Sequence, residues 1–153
     1  MFEANIHASC VAIGRRGVLL LGKSGAGKSD LALRLIDRGA MLVADDRVIL
    51  WTEKTVLYAR APDTIKGLLE IRGFGIVAFP ARAKARVSLV VKLGREGARL
   101  PRPAFYRPPA SLASKAPIPE ILLNDGFASA PAKIRAALAA FSQDLFRDTL
   151  ITK

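Results

Sequence analysis

The chain is 153 residues long, the size of one ordinary domain, and 51% of it is hydrophobic, enough for a packed core. Its apolar runs are broken by charge or glycine well short of the roughly 20 residues that cross a bilayer, and its single cysteine, Cys10, leaves no internal disulfide to form. Lys and Arg number 24 against 13 Asp and Glu, and the net charge of +11 fits an anionic partner (nucleotide phosphates, an acidic protein or a nucleic-acid backbone) or simply cations scattered over solvated faces, and by itself decides nothing.

Glu3 and His7 stand where a signal peptide carries basic residues, and Arg15 and Arg16 interrupt the apolar run, so a cytoplasmic chain is expected. Residues 6 to 13 read as one strand. Gly14 to Gly17 link it to a buried strand at Val18 to Leu21, and a link this short predicts an antiparallel hairpin, hence a mixed rather than purely parallel sheet. Ser29 to Arg38 has helical spacing, with Leu31, Leu35 and Ile36 facing inward and Gly39 at its stop. Met41 to Ala44 is a short strand ending in Asp45-Asp46, and strand-like segments follow at 48–51 and 55–58. Leu68 to Phe79 holds more glycine than a plain strand tolerates, so part of it is expected to be a shaped loop. Arg86 to Leu93 alternates as a strand. The prolines between 101 and 119 predict an extended loop. Ser129 as N-cap and Pro131 in the first turn open a terminal helix with Ile134, Leu138, Phe141 and Leu145 on one face. Neither a repeat nor a composition break divides the chain, so residues 1–153 are expected to form a single domain.

Between the second strand and the first helix the chain carries the pattern G-x-x-x-x-G-K-[ST] as Gly22, Lys23, Ser24, Gly25, Ala26, Gly27, Lys28 and Ser29. The glycines let backbone N–H groups converge on phosphate oxygens, Lys28 brings a mobile cation to the β- and γ-phosphates, and Ser29 offers a hydroxyl to Mg²⁺. The helix that follows turns its positive end toward the same anion. Asp45 and Asp46 close the next strand, where a carboxylate meets the metal of a bound nucleotide or ends a surface turn. Two adjacent acids allow one to face metal and the other to take a proton. His7 is the lone histidine. Glu70 and Arg72 suit metal and phosphate, or equally an exposed ion pair. Cys10 reads as a small core residue.

The ordered set His7, Val18 to Ser29, Arg38-Gly39, Leu42 to Asp46 and Leu69-Glu-Ile-Arg-Gly-Phe-Gly-Ile76 resembles the catalytic domain of the HPr kinase/phosphorylase family, firmly over the first half of the chain and loosely beyond. The resemblance implies a P-loop α/β kinase domain with a mixed sheet, akin to phosphoenolpyruvate carboxykinases, commonly assembled as hexamers. It implies ATP-dependent phosphorylation of a serine of the phosphocarrier HPr, and removal of that phosphate by phosphorolysis. Carried over by residue, Lys28 binds phosphates, Ser29 and Glu70 hold Mg²⁺, and Asp46 exchanges the proton, with His7 in the same site. Arg72 falls in the signature segment, and Arg99 matches a catalytic arginine. Three departures stand out. The family's N-terminal domain is expected to be absent, Lys23 replaces a frequent acid, and Asn124-Asp125-Gly126 and Lys133 stand where a Pro-x-Gly-Arg-Asn-like segment is usual.

Two other functions fit parts of this pattern. A small-molecule P-loop kinase would need no HPr. A nucleotide-gated binding module would use the basic second half (Arg82, Lys84, Arg86, Lys92, Arg95, Arg99) to grip an acidic partner. That half has neither zinc-knuckle cysteines nor a helix-turn-helix pattern, so sequence-specific nucleic-acid binding and membrane insertion are not expected.

Overall fold

The structure is a computed structural model that describes residues 2–95, 97–112, 114 and 117–147; positions 113, 115 and 116 of the expected 101–119 loop lie outside the described residues. The single strand expected over residues 6–13 is two strands, β1 Glu3–His7 and β2 Ser9–Ile13, interrupted at Ala8. The break has a counterpart. Downstream, β4 Met41–Ala44 and β5 Arg47–Glu53 are interrupted at Asp45-Asp46. β2 pairs with β4 through Cys10↔Ala44, whereas β1 pairs with β5 through His7↔Arg47. The two stretches thus pair with each other in one antiparallel register, interrupted where Ala8 stands opposite Asp46, and the Ala8 N–H donates to Asp46 O across the gap (3.2 Å).

The hairpin is as expected: β2 runs antiparallel to β3 Arg16–Leu21, Ser9↔Leu20 to Ile13↔Arg16. Beyond β3 lies β9 Ala85–Leu93, parallel to it. The far side of β9 is shared by β6 Val56–Arg60 at its start and β11 Pro119–Leu123 along its second half, antiparallel and parallel respectively. The order β1-β5-β6-β9-β3-β2-β4, with β11 beside β9 and the two-residue β10 Ala104–Phe105 beside β11, is a mixed α/β sheet. It is also curled, because β1 continues into β2 and β4 into β5, which draws its two ends together.

Side-chain alternation splits the core into two layers. On β3, Leu19 packs with Cys10, Val48, Leu50 and Val90 inside the curl, while Val18 and Leu20 face the helices. Burial pushes the Cys10 thiol up to about 12, consistent with an inert core residue. Helix α1 Lys28–Asp37 lays Leu31 and Leu35 on that outer face, and α2 Ala130–Gln143 adds Ile134 and Leu138. Gly39, at φ 103°, ends α1 as expected.

Three expectations need correction. Residues 119–123, placed at the end of a loop or left unassigned, form β11, an integral parallel strand. Ser129 makes no side-chain capping bond, and Leu145 lies past the helix end, because Asp144 adopts a left-handed conformation (φ 53°) and stops α2 at Gln143. The segment expected to be in part a shaped loop is a hairpin, β7 Leu68–Ile71 and β8 Gly75–Ala78, with Gly73 in its turn, Gly75 opening β8 and Gly67 just before β7.

Candidate functional site

The three parallel strands β3, β9 and β11 end on one side of the sheet, and the loop of residues 22–29 sits there between β3 and α1. At Gly27 the backbone has φ 101°, and a Cβ would run into Asp125 Oδ2 from the turn after β11. Glycine is thus required twice at this position, by conformation and by space. The Lys28 ammonium is buried and donates to the carbonyls of Gly22 (2.7 Å) and Lys23 (2.9 Å). Burial lowers its pKa, and the charges of Asp46 and Asp45 act in the opposite direction. With three N–H groups and two carbonyl partners, it keeps one donor for an anion.

The break between β4 and β5 separates the two aspartates. Asp45 is buried, and its Oδ1 accepts hydrogen bonds from Ser29 Oγ and Ser9 Oγ, each at 2.7 Å. Asp46 is held by a left-handed backbone (φ 70°), a conformation Asp tolerates better than most residues. Its carboxylate is 70% exposed, with Oδ1 3.5 Å from His7 Nδ1. The other ring nitrogen, His7 Nε2, is buried without a hydrogen-bond partner among the described residues. A cleft of about 420 Å³ gathers His7, Lys28, Ser29, Asp46, Glu70 and Arg72, with Ser24, Gly25 and Gly27 in its wall. Glu70 reaches it because β7 alternates: Leu69 is fully buried in the outer core layer and Glu70 points the other way.

The residues expected to form the site are thus assembled from four separate segments, with two qualifications. Arg99 lies in an exposed bend after β9 and does not line the cleft. Asp45 and Ser29, read separately as metal-facing groups, are bonded to each other. Two residues escaped the sequence reading. Ser9 is a fully buried hydroxyl in an otherwise apolar strand, and that isolation was its only signal. Asp125 packs its carboxylate against Gly27, and the Arg34 guanidinium, donating to Asp125 O (2.7 Å) and to Asp30 (3.1 Å), ties that turn to α1. Asn124-Asp125-Gly126 stood out only as replacing the family's Pro-x-Gly-Arg-Asn-like segment, with no contact to the phosphate loop foreseen.

Chemically, the arrangement offers a phosphate cradle with its cation, all-oxygen groups for a hard metal ion, and an exposed carboxylate beside an imidazole. Comparison with known proteins agrees with this inventory. Bacillus subtilis HPr kinase/phosphorylase is 45% identical over 96 residues, covering 58% of this chain and 31% of that protein. The protein of the same name from Peptoclostridium acidaminophilum is 53% identical over 73 residues, covering 47% and 24%. The chain thus spans about a quarter to a third of the length of these relatives. Among solved structures, the HPr(Ser) kinase/phosphatase from Coxiella burnetii superposes with a TM-score of 0.74 at 26% identity, covering 93% of this chain and 92% of that one. The family model described as HPr Serine kinase C-terminal domain matches residues 2–97, which include the phosphate loop, both aspartates and the β7–β8 hairpin, and the chain belongs to that family.

Proposed function

We propose that the chain is an ATP-dependent protein-serine kinase that phosphorylates an HPr-type phosphocarrier, and that also dephosphorylates it by phosphorolysis. One observation carries this: Lys28, Ser29, Asp46, His7 and Glu70 line a single cleft, with an exposed carboxylate facing a phosphate cradle. The relatives named above supply the substrate, since their names specify HPr. On this basis residues 1–153 act as one catalytic domain in the cytoplasm, and the family resemblance extends to assembly as a hexamer.

The mechanism follows from the groups present. Backbone N–H groups of residues 22–27 and the Lys28 ammonium hold the β- and γ-phosphates. Asp46 accepts the serine proton as the hydroxyl oxygen attacks the γ-phosphorus and the bond to ADP breaks. In the reverse direction inorganic phosphate attacks phosphoserine, Asp46 returns the proton to the serine oxygen, and pyrophosphate leaves. His7, within reach of Asp46, orients that carboxylate. The donor set suits a hard divalent cation. Ser29 and Glu70 would supply oxygen ligands, leaving the other positions to phosphate oxygens and water. Mg²⁺ held there would neutralise charge on the β- and γ-phosphates. Arg99 is given no step.

The test is direct. The purified chain, Mg²⁺, γ-labelled ATP and HPr are expected to give label on one HPr serine, and Lys28→Ala to abolish both nucleotide binding and transfer. Tight ATP binding with no label on HPr, under conditions where a small hydroxylated metabolite is labelled, would establish the small-molecule kinase instead.

A further inference from the structure

A larger pocket lies at the opposite end of β3 from the phosphate loop. β3 begins at Arg16 and ends at Leu21, so the two sites are roughly 17–20 Å apart along the strand. The pocket holds about 670 Å³, within the ordinary range for a small-molecule site. Its lining joins apolar residues, Phe105, Ile118, Leu138 and Phe141, to three exposed arginines, Arg15, Arg16 and Arg86.

The cationic part of the lining is unusual. Arg16 and Arg86 are directly paired on adjacent strands, an arrangement in which like charges repel. No Asp or Glu lines the pocket, and none of the three guanidiniums has an ion-pair or hydrogen-bond partner among the described residues. Only a minority of the cations among the described residues have an internal counter-charge (Arg34 with Asp30, Arg60 with Glu3, Lys84 with Glu53, Lys92 with Glu120); what sets the Arg16–Arg86 pair apart is that two guanidinium-bearing residues stand directly side by side. Repelling arginines left without an internal carboxylate, in one pocket with apolar residues, are matched by a ligand that brings the anion with it. A guanidinium presents a planar fork of N–H donors that fits a phosphate or carboxylate bidentately.

We propose that this pocket is a second ligand site, which binds a small amphipathic anion with its phosphate or carboxylate head on Arg16 and Arg86 and its apolar body against Leu138 and Phe141. The site is separate from the phosphate loop and does not rest on phosphate transfer, so it would stand even if the chain proved to phosphorylate nothing.

Phenyl phosphate and 3-phenylpropionate serve as probes for the two kinds of head, titrated into the full ¹⁵N-labelled chain and followed by backbone amide shifts. At least one probe is expected to saturate shifts at Arg16, Arg86 and residues 138–141, with unchanged affinity in Lys28→Ala and at least tenfold weaker affinity in Arg16→Gln/Arg86→Gln. Benzyl alcohol, which lacks the head, should give no saturable shift. The tighter-binding probe identifies the head. Both arginines are exposed, so the double variant should keep the wild-type spectrum, and Arg86→Gln alone, expected to lose about threefold, is the fallback if it does not. The proposal is overturned by equal affinity in the arginine variants, by shifts confined to residues 22–29 that vanish in Lys28→Ala, or by wild-type self-association through this face that the arginine variants abolish and neither probe displaces.

Discussion

A serine hydroxyl attacks phosphorus poorly at neutral pH unless a base takes its proton as the bond forms. Of the two adjacent acids, only Asp46 is free to do so. Asp45 is buried and already bonded to Ser9 and Ser29 through one oxygen, whereas Asp46 projects into the cleft beside His7. Asp46→Asn keeps the shape and removes the base, so ATP affinity should stay near wild type while transfer to HPr falls by about 10²–10⁴-fold, and phosphorolysis falls in parallel. Calorimetry with ATP and single-turnover transfer measure the two halves, and near-normal transfer by Asp46→Asn would move the role to Asp45. Ser9 makes a different prediction. Deleting its hydroxyl removes one of two bonds to a buried carboxylate, and bonds of this charged kind are worth about 1.5–3 kcal/mol. Ser9→Ala should lose stability on that scale in urea unfolding and, because Asp45 also positions Ser29, need more Mg²⁺ for half-maximal activity; Ser9→Thr should recover both. The phosphate loop was legible from sequence because its chemistry is local to eight residues. The Ser9–Asp45 bond was not, since it joins positions 36 apart through a break in pairing that no local pattern announces.

Among the elements, the β7–β8 hairpin ties the proposed metal ligand Glu70 to the core. Leu69 is fully buried among residues of the outer layer, and one position along the strand Glu70 faces the cleft. Period-two geometry thus makes the core anchor also aim the carboxylate. Glu70→Gln leaves the anchor in place and is expected to preserve the melting temperature, lower transfer, and raise the Mg²⁺ concentration for half activity several-fold. Unchanged metal dependence would reduce Glu70 to a surface residue. The same strand shows what local pattern conveys and what it does not. Leu31 and Leu35 on α1, and the apolar run of β3, were readable because their periods differ and each is uninterrupted. Glycine at 73 and 75 bars a plain strand, but a hairpin with Gly73 in its turn and Gly75 at the start of the return strand satisfies that constraint as well as a loop does. β11 was hidden because Pro117 and Pro119 gave a loop signal, although Pro119 opens the strand, where a missing N–H is tolerated. The split between β1 and β2 at Ala8 falls opposite Asp46, whose left-handed backbone interrupts the pairing from a distant segment, so no pattern local to Ala8 announces it.

At the scale of the whole molecule, a net charge of +11 creates a field that extends beyond any contact. Cations in ion pairs within the fold, such as Arg34, Arg60, Lys84 and Lys92, are a minority of the 24, so most of the charge faces outward. Arg72 stands in the wall of the cleft beside Asp46 and Glu70, so on the proposed function an acidic partner would be attracted by the overall charge and not by the cleft lining. Salt should therefore act on encounter more than on chemistry. The screening length falls from about 30 Å at 0.01 M to about 3 Å at 1 M, which removes long-range attraction and leaves the phosphate cradle, whose Lys28 is buried, nearly untouched. For an acidic HPr, kcat/KM is expected to drop by about tenfold or more between 0.02 and 0.5 M NaCl, while kcat at saturating HPr changes less than about twofold. Stopped-flow association and steady-state kinetics on the same samples separate the two quantities. If kcat falls with salt as steeply as kcat/KM, the charge is acting within the phosphate site and not in steering. A salt-independent kcat/KM would mean that the partner meets the chain through apolar contacts, and the exposed Phe74 and Ile76 of the β7–β8 hairpin would be the first residues to replace.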